Sequence, residues 1–411
     1  MKIKQARVLE ILEHLKSFGG SVDKGITRLA YSAEDLAAQK YIMEKMQELG
    51  MEVRRDYVGN IFARLPGKNP TLPTIASGSH LDTVKQGGAY DGALGVVAAL
   101  EAAYAIKEQG LEHPYEVIIF MAEESTRFGF ATIGSKLLAG VGTPETFSSA
   151  TKKDELSYIE VLKQAGFEPE KYEQVKLEAN KYAAFVELHI EQGRVLADSG
   201  EAIGVVENIA APTRMKITVE GVADHSGATP MNFRKDALVS GAKLILAIEE
   251  VGKAHSEQGI VTTVGVVDIE PSSINVIPGK VVLWLDLRGV DYEVILEAIE
   301  EIHEAVRCVG EADEVKITID VLTSDKPVRL SKNLADITAG VCQQKNIKYR
   351  RMNSGAGHDA MHMAAIMPTT MIFVPSIEGI SHNPAEMTSE ADIIAGVEVL
   401  VETILTMDKE I

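Results

Sequence analysis

Val117-Ile118-Ile119-Phe120-Met121-Ala122-Glu123-Glu124 carries an unbroken apolar run directly into two carboxylates. A short run that is apolar at every position suits a strand covered on both faces, and such strands belong to mostly parallel sheets flanked by helices. Further short apolar runs lie at 74–77, 183–188 and 370–374, and between 73 and 195 they alternate with longer helical patterns. The expected fold class is therefore α/β, a mostly parallel sheet with helices on its faces. The stretch 140–181 is polar and rich in Lys and Glu, with a helix expected at 154–164, and reads as an insertion on the rim. Near the start, Val8, Ile11, Leu12 and Leu15 are spaced for an amphipathic surface helix rather than a signal peptide.

The pattern changes at Pro212. Met215, Ile217 and Val219 alternate with Lys216, Thr218 and Glu220, giving a strand with one buried and one open face. Helices are expected at 236–257 and 292–309, and an alternating strand at 315–321 closes a strand-helix-strand-strand-helix-strand order, that of a ferredoxin-like α+β unit. Leu283, Leu285 and Leu287 alternate with Val282, Trp284, Asp286 and Arg288, so Arg288 lies on the face opposite the helix-packed leucines. The expected organisation is a metal-binding catalytic domain at 1–211 and 327–411, interrupted by an inserted lid and dimerisation domain at 212–326.

Acidic residues number 60 against 41 basic ones, for a net charge of −19, and no Lys/Arg cluster interrupts the excess. A field of that sign repels phosphate backbones and anionic membranes, so neither nucleic acid nor membrane is an expected partner. The two cysteines, Cys308 and Cys342, fall in helical patterns and make neither a disulfide framework nor a thiolate metal site. No apolar run reaches membrane-spanning length. A soluble protein of the reducing cytoplasm is the expectation.

His80 and His189 close apolar strands, and His382 follows another after a short loop. Ligands of open α/β sheets gather outside the carboxyl ends of the strands, which lets these three converge. Carboxylates stand in equivalent places: Asp91 in the turn Gly87-Gly88-Ala89-Tyr90-Asp91-Gly92, and Glu123 with Glu124 after their strand. Any one histidine at a strand end is more often a polar cap than a ligand. Five such residues at separate strand ends argue otherwise, and two unpaired carboxylates on an apolar strand are costly without a cation. Three imidazoles with two or three carboxylates suit zinc, manganese, cobalt or nickel and exceed the needs of one tetrahedral ion, so two divalent ions sharing Asp91 is the economical arrangement. The glycine-rich turn lacks the phosphate-loop patterns. His14, His113, His255, His303 and His362 read as exposed or helix-packed.

Gly78-Ser79-His80-Leu81-Asp82-Thr83, Tyr90-Asp91-Gly92, Glu123-Glu124, Glu187-Leu188-His189-Ile190-Glu191-Gln192-Gly193 and Ser381-His382-Asn383-Pro384 resemble the hydantoinase/carbamoylase branch of the binuclear-metal aminoacylase and carboxypeptidase superfamily. The branch includes N-carbamoyl-L-amino-acid hydrolases, allantoate amidohydrolases and beta-ureidopropionases. The resemblance spans nearly the whole chain, and His-Ile-Glu-Gln-Gly is its most branch-specific element, since general peptidases of the superfamily usually have a carboxylate where His189 stands. It implies that His80 and His189 hold one ion, Glu124 and His382 the other, and that Asp91 bridges. Asp82 would orient the His80 ring, and Glu123 would be the general base. One departure is Ser125, where many members have glycine after the double Glu.

A second set, Asp224-His225-Ser226-Gly227-Ala228-Thr229-Pro230, Asn275-Val276-Ile277-Pro278-Gly279 and Asp286-Leu287-Arg288, matches the same branch. By that resemblance Arg288 and Asn275 grip a substrate carboxylate and His225 stabilises the oxyanion. Gln192, Arg214 and the loop bearing Gly355, Gly357 and His358 complete the pocket. The implied activity is hydrolysis of the ureido C–N bond of N-carbamoyl-L-amino acids. Allantoate amidohydrolase comes next, then beta-ureidopropionase or N-acyl aminoacylase, with a non-catalytic metal-binding scaffold as the rival from another class. The resemblance also supports a homodimer, joined through the inserted domain, and leaves open which of His225, Asn275 and Arg288 reach the neighbouring subunit's metal site; the expectation is that His225 and Asn275 do.

Overall fold

The computed structural model describes residues 3–21, 24–149 and 155–411. It divides into two compact units, one comprising Met1–Glu207, Arg329–Ser354 and His358–Ile411, the other Asn208–Val328 with Gly355–Gly357.

The first unit is built on a nine-stranded sheet. Its centre is the parallel series Thr369–Val374, Tyr182–Ile190, Thr74–His80 and Tyr115–Phe120, in that spatial order. The first, third and fourth of these are buried at every position, as strands sandwiched between helices must be. Antiparallel strands extend both margins: Ile203–Ile209 beside Thr369–Val374, and Ile61–Leu65 followed by Glu52–Arg55 beyond Tyr115–Phe120. The mostly parallel sheet read from the sequence is the centre of this mixed sheet. The helix Ala93–Gln109 is rich in alanine and buried along nearly its whole length, so it packs closely on the sheet. The helix Gln5–Lys16 buries Val8, Ile11, Leu12 and Leu15 in the same core. Within 140–181 the expected helix begins at Tyr158, because Ser157 caps it by accepting from the Glu160 N–H; its anticipated start at Asp154 lies outside the described residues.

The second unit is a four-stranded antiparallel sheet in the order Val261–Glu270, Lys280–Gly289, Ala211–Glu220, Lys316–Ser324. Two helices, Ala237–Ala254 and Tyr292–Asp313, connect its strands in the ferredoxin-like order and cover one face. Met215, Ile217, Val219, Leu283, Leu285 and Leu287 form the core beneath them. Trp284, Asp286 and Arg288 take the alternate positions on the other face. Among the described residues no helix is long and apolar enough to cross a membrane.

Candidate metal centre

Parallel neighbours end on one side of a sheet, and there the first unit gathers its polar residues. His80 is the last residue of its strand, His189 the penultimate residue of its own, and Glu123 and Glu124 follow Tyr115–Phe120 after a bend. That bend needs Ala122 in the left-handed region (φ 53°), and Gln192 (φ 58°) and His382 (φ 54°) share this uncommon conformation. Left-handed backbone at non-glycine residues costs energy and collects at functional sites. Gly92 is also left-handed (φ 64°), and a Cβ there would lie 2.5 Å from the His80 ring, so only glycine lets Asp91 come this close to His80.

His80 Nδ1 is 2.9 Å from the Asp82 carbonyl oxygen, and His189 Nδ1 is 2.9 Å from that of Ile190. A carbonyl only accepts, so both rings carry a proton on Nδ1 and turn Nε2 toward Asp91. His189 Nε2 is 3.2 Å and His80 Nε2 3.6 Å from Asp91 Oδ1. His382 Nε2 is 3.2 Å from Asp91 Oδ2 and 3.2 Å from Glu124 Oε1. Two donor sets result, His80–Asp91–His189 and Asp91–Glu124–His382, each with its donor atoms within 4.8 Å of one another. One oxygen of Asp91 serves each set.

Electrostatics matches this donor chemistry. Asp82, Asp91, Glu123 and Glu124 are all buried, and among the described residues the only basic side chains within ion-pair distance of them are histidines. Burial opposes a proton on His80, yet Glu123, Asp91 and Asp82 hold its basicity well above the ordinary value. Hydrogen bonds to Asp91 and Glu124 push His382 up to about 10. Burial alone would raise the Asp91 carboxyl, but hydrogen bonds from His189, His382 and His80 hold it well below the carboxylate range. A pocket with this surplus of buried negative charge favours cations, and divalent ions can take the place of the protons on Nε2.

Glu123 stands beside the first donor set without joining it, its Oε2 3.8 Å from His80 Nε2. Burial raises its proton affinity well above normal; Glu124, Asp359 and Asp82 add to this, and His80 opposes it. Asp82 acts differently from the expectation. Its carboxylate is 3.7 Å from His80 Nδ1 and instead accepts the N–H groups of Glu123 (3.3 Å) and Glu124 (3.0 Å), while its main-chain carbonyl orients the ring. The bend at Ala122 brings those two N–H groups around to the carboxylate.

Gln192 donates to Asp91 Oδ2 at 2.9 Å. His358 is buried beneath His189, with ring centroids 4.5 Å apart and Nε2 2.9 Å from Ser354 Oγ. Burial and the neighbouring His189 hold its basicity well below normal, so a neutral imidazole buttresses His189 rather than lining an open pocket wall.

Glu386 was not anticipated. Its Oε1 accepts from the N–H groups of Tyr90 (2.9 Å) and Asp91 (3.1 Å), and Oε2 from the Ser381 hydroxyl (2.9 Å). One carboxylate thus ties the Asp91 turn to the loop bearing His382. It fits because Gly88 has no side chain: a Cβ there would meet Glu386 Oε1 at 2.0 Å. Outer partners of metal ligands typically govern affinity by about 10- to 100-fold. Glu386→Gln, which keeps the shape and removes charge and one acceptor, is accordingly expected to weaken divalent-ion binding by about that factor. Titration of metal-stripped protein against a chromogenic chelator measures this, and an unchanged affinity would show that Glu386 only packs.

The other expected site residues belong to the second unit. His225 pairs with Val276, and the Ser226 N–H donates to the Asn275 carbonyl at 3.1 Å, so His225 and Asn275 are neighbours. His225 Nδ1 accepts from the Gly227 and Ala228 N–H groups, each at 3.1 Å, which puts the proton of the neutral ring on Nε2. Arg214 and Arg288 share Asp286, at 3.3 Å and 2.9 Å. Arg288 Nη1 also donates to the Gly355 carbonyl at 3.0 Å, which accounts for Gly355–Gly357 grouping with this unit.

An α/β sheet carrying such a donor cluster at the carboxyl ends of its strands, with a proton-avid glutamate beside it, defines a metal-dependent hydrolase. The sequence profile of Peptidase family M20/M25/M40 matches residues 76–406, and the chain belongs to that family. An N-carbamoyl-L-amino acid amidohydrolase of Geobacillus stearothermophilus is 37% identical over 404 residues, 98% of each chain. An allantoate amidohydrolase of Escherichia coli (strain K12) is 37% identical over 393 residues, 95% of each. The crystal structure of a hydantoinase/carbamoylase family amidase from Burkholderia multivorans matches with a TM-score of 0.92 at 31% identity, covering 99% of this chain and 98% of that one. These neighbours put the chain in the hydantoinase/carbamoylase branch.

Proposed function

We propose that this protein hydrolyses the ureido C–N bond of N-carbamoyl-L-amino acids to the amino acid, ammonia and carbon dioxide, using two divalent ions per subunit. The observation that carries the reading is the division of the two Asp91 oxygens between two donor sets, with Glu123 poised beside them. His80, His189 and Asp91 would hold one ion and Asp91, Glu124 and His382 the other; zinc, manganese, cobalt and nickel all suit these donors. When bound, such ions acidify water and polarise a carbonyl. Glu123 takes a proton from the attacking water, whose oxygen bonds to the ureido carbon. His225 offers its Nε2–H to the developing oxyanion, a contribution of about 3 kcal/mol for one such donor. Glu123 then passes the proton to the departing amino nitrogen, the C–N bond breaks, and the released carbamate decomposes. Its raised proton affinity suits the first of these transfers.

Arg288 and Asn275 grip the substrate carboxylate in this reading, because a guanidinium can meet a carboxylate with two parallel hydrogen bonds. Arg288→Lys is expected to raise KM about tenfold or more with little change in metal content, since one such charged contact is worth roughly 1.5–3 kcal/mol. An amide analogue of the substrate should suffer in wild type alone; if wild type handled amide and acid equally, Arg288 would have no carboxylate to hold.

Assays on N-carbamoyl-L-methionine, allantoate, 3-ureidopropionate and N-acetyl amino acids test the assignment. Preference for allantoate would favour the rival reading, for which the Escherichia coli relative speaks. The free cysteines, Cys308 exposed and Cys342 buried, are compatible with a reducing cytoplasm. We further take the enzyme to be a homodimer joined through its second unit, whose outer strands need covering. Glu123→Gln and His225→Ala subunits, unfolded and refolded together, should recover about one quarter of wild-type activity if His225 serves the neighbouring subunit. Verified heterodimers without recovered activity would refute the sharing.

A further inference from the structure

The open face of the second unit's sheet carries a groove of about 510 Å³ that combines two arginines with an apolar wall. Arg214 and Arg288 stand at one end with Asp286 between them, leaving one net positive charge. Trp284, Val266 and Leu322 line the rest, and all three are partly exposed, at 37%, 51% and 47%. Register links the two parts: Arg214 faces Asp286 and Val266 faces Trp284. Trp284 is one same-face step from Asp286, about 7 Å along the strand. Its indole N–H donates to Asp268 at 3.0 Å, which fixes the ring beside the groove.

A water-exposed apolar wall next to a singly charged guanidinium pair is complementary to a monoanion with a short apolar tail. We infer that this groove is the side-chain pocket of the enzyme: Arg214 stands beside Arg288 where that residue takes the substrate carboxylate, and Trp284, Val266 and Leu322 take an apolar side chain on its α-carbon. This rests on the carboxylate-binding reading of Arg288 and narrows the substrate class. It selects N-carbamoyl derivatives of leucine-, methionine- or phenylalanine-like amino acids over allantoate, whose carboxylate-bearing carbon carries two polar ureido groups and has nothing to place on the wall.

Trp284 is the chain's single tryptophan, so its emission reports on this groove alone. The test titrates the metal-loaded enzyme with glycine, L-alanine, L-valine and L-leucine, the products of the proposed reaction, and follows tryptophan fluorescence. Dissociation constants should fall about fourfold for each added methyl or methylene, the transfer value of a buried CH₂ group. Leucinamide should bind far more weakly than leucine, and Val266→Ser should flatten the series. A flat series in wild type, or emission that follows protein concentration rather than ligand because a second copy covers the face, overturns the inference.

The same preparation is assayed for kcat/KM on N-carbamoylglycine and N-carbamoyl-L-leucine. A strong preference for the leucine derivative supports the groove. Equal rates on both refute it while leaving the hydrolase assignment in place. Hydrolysis of neither strikes the assignment itself, and the fluorescence series, which needs no turnover, still decides whether the groove binds apolar carboxylates.

Discussion

Glu123→Gln is expected to lower kcat by about 10²- to 10⁴-fold, the range for removal of a positioned general base, without altering the fold or the divalent-ion content. The amide keeps the volume of the carboxyl and sits outside both donor sets, so the ligand geometry has no reason to move. It has no basic oxygen, however, and cannot take the proton from water or deliver it to the leaving nitrogen. KM should change little, because Glu123 acts on the proton and not on the carboxylate grip. Stopped assays with metal analysis of the same sample check both halves. Near-normal turnover would remove Glu123 from the reaction, and low turnover accompanied by metal loss would make it a ligand instead.

Asp91→Ala and His189→Ala should differ in stoichiometry. His189 contributes to one donor set, whereas Asp91 contributes one oxygen to each. Loss of His189 should leave one ion bound through the Asp91–Glu124–His382 set. Loss of Asp91 reduces both sets to two donors, below the three or four that hold a divalent ion firmly, and ion content should fall to none. Emission spectrometry on desalted protein measures this. Retention of one ion by Asp91→Ala would show that Asp91 does not bridge, and retention of two by His189→Ala would remove His189 from the ligands. Folding need not suffer, because removing Asp91 relieves a surplus of buried negative charge.

The strand Tyr115–Phe120 was legible because burial on both faces favours an apolar run, as at 117–120. The marginal strands Glu52–Arg55 and Ile61–Leu65 were not, since four or five residues are too few for a strand pattern to stand out. Strand ends told which side chains could meet, and the three histidines and Glu124 do come together around Asp91. How they are supported was hidden. Glu386 works by accepting main-chain N–H groups 295 and 296 positions away, and no local pattern marks such a contact. Asp82 was misread because its carbonyl, which every residue has, does the work assigned to its carboxylate. His358 looked available beside two glycines, but it is buried beneath His189, and only packing reveals that.

The contact between Glu386 and the Asp91 turn also sets the order in which the centre is completed during synthesis. His80, Asp91, Glu124 and His189 leave the ribosome early, whereas His382 and Glu386 arrive almost 300 residues after Asp91. At about 5–20 residues per second that interval is roughly 15–60 s. Once His189 has followed, a nascent chain carries the whole His80–Asp91–His189 set but lacks His382 of the second set, and the Asp91 turn lacks the carboxylate that holds it. A ribosome halted before His382 would therefore present an incomplete pair, able to capture an ion in the first set only. If each of the two donor sets holds an ion as proposed, the second is filled only after His382 has emerged, from the metal pool that the nearly finished chain meets.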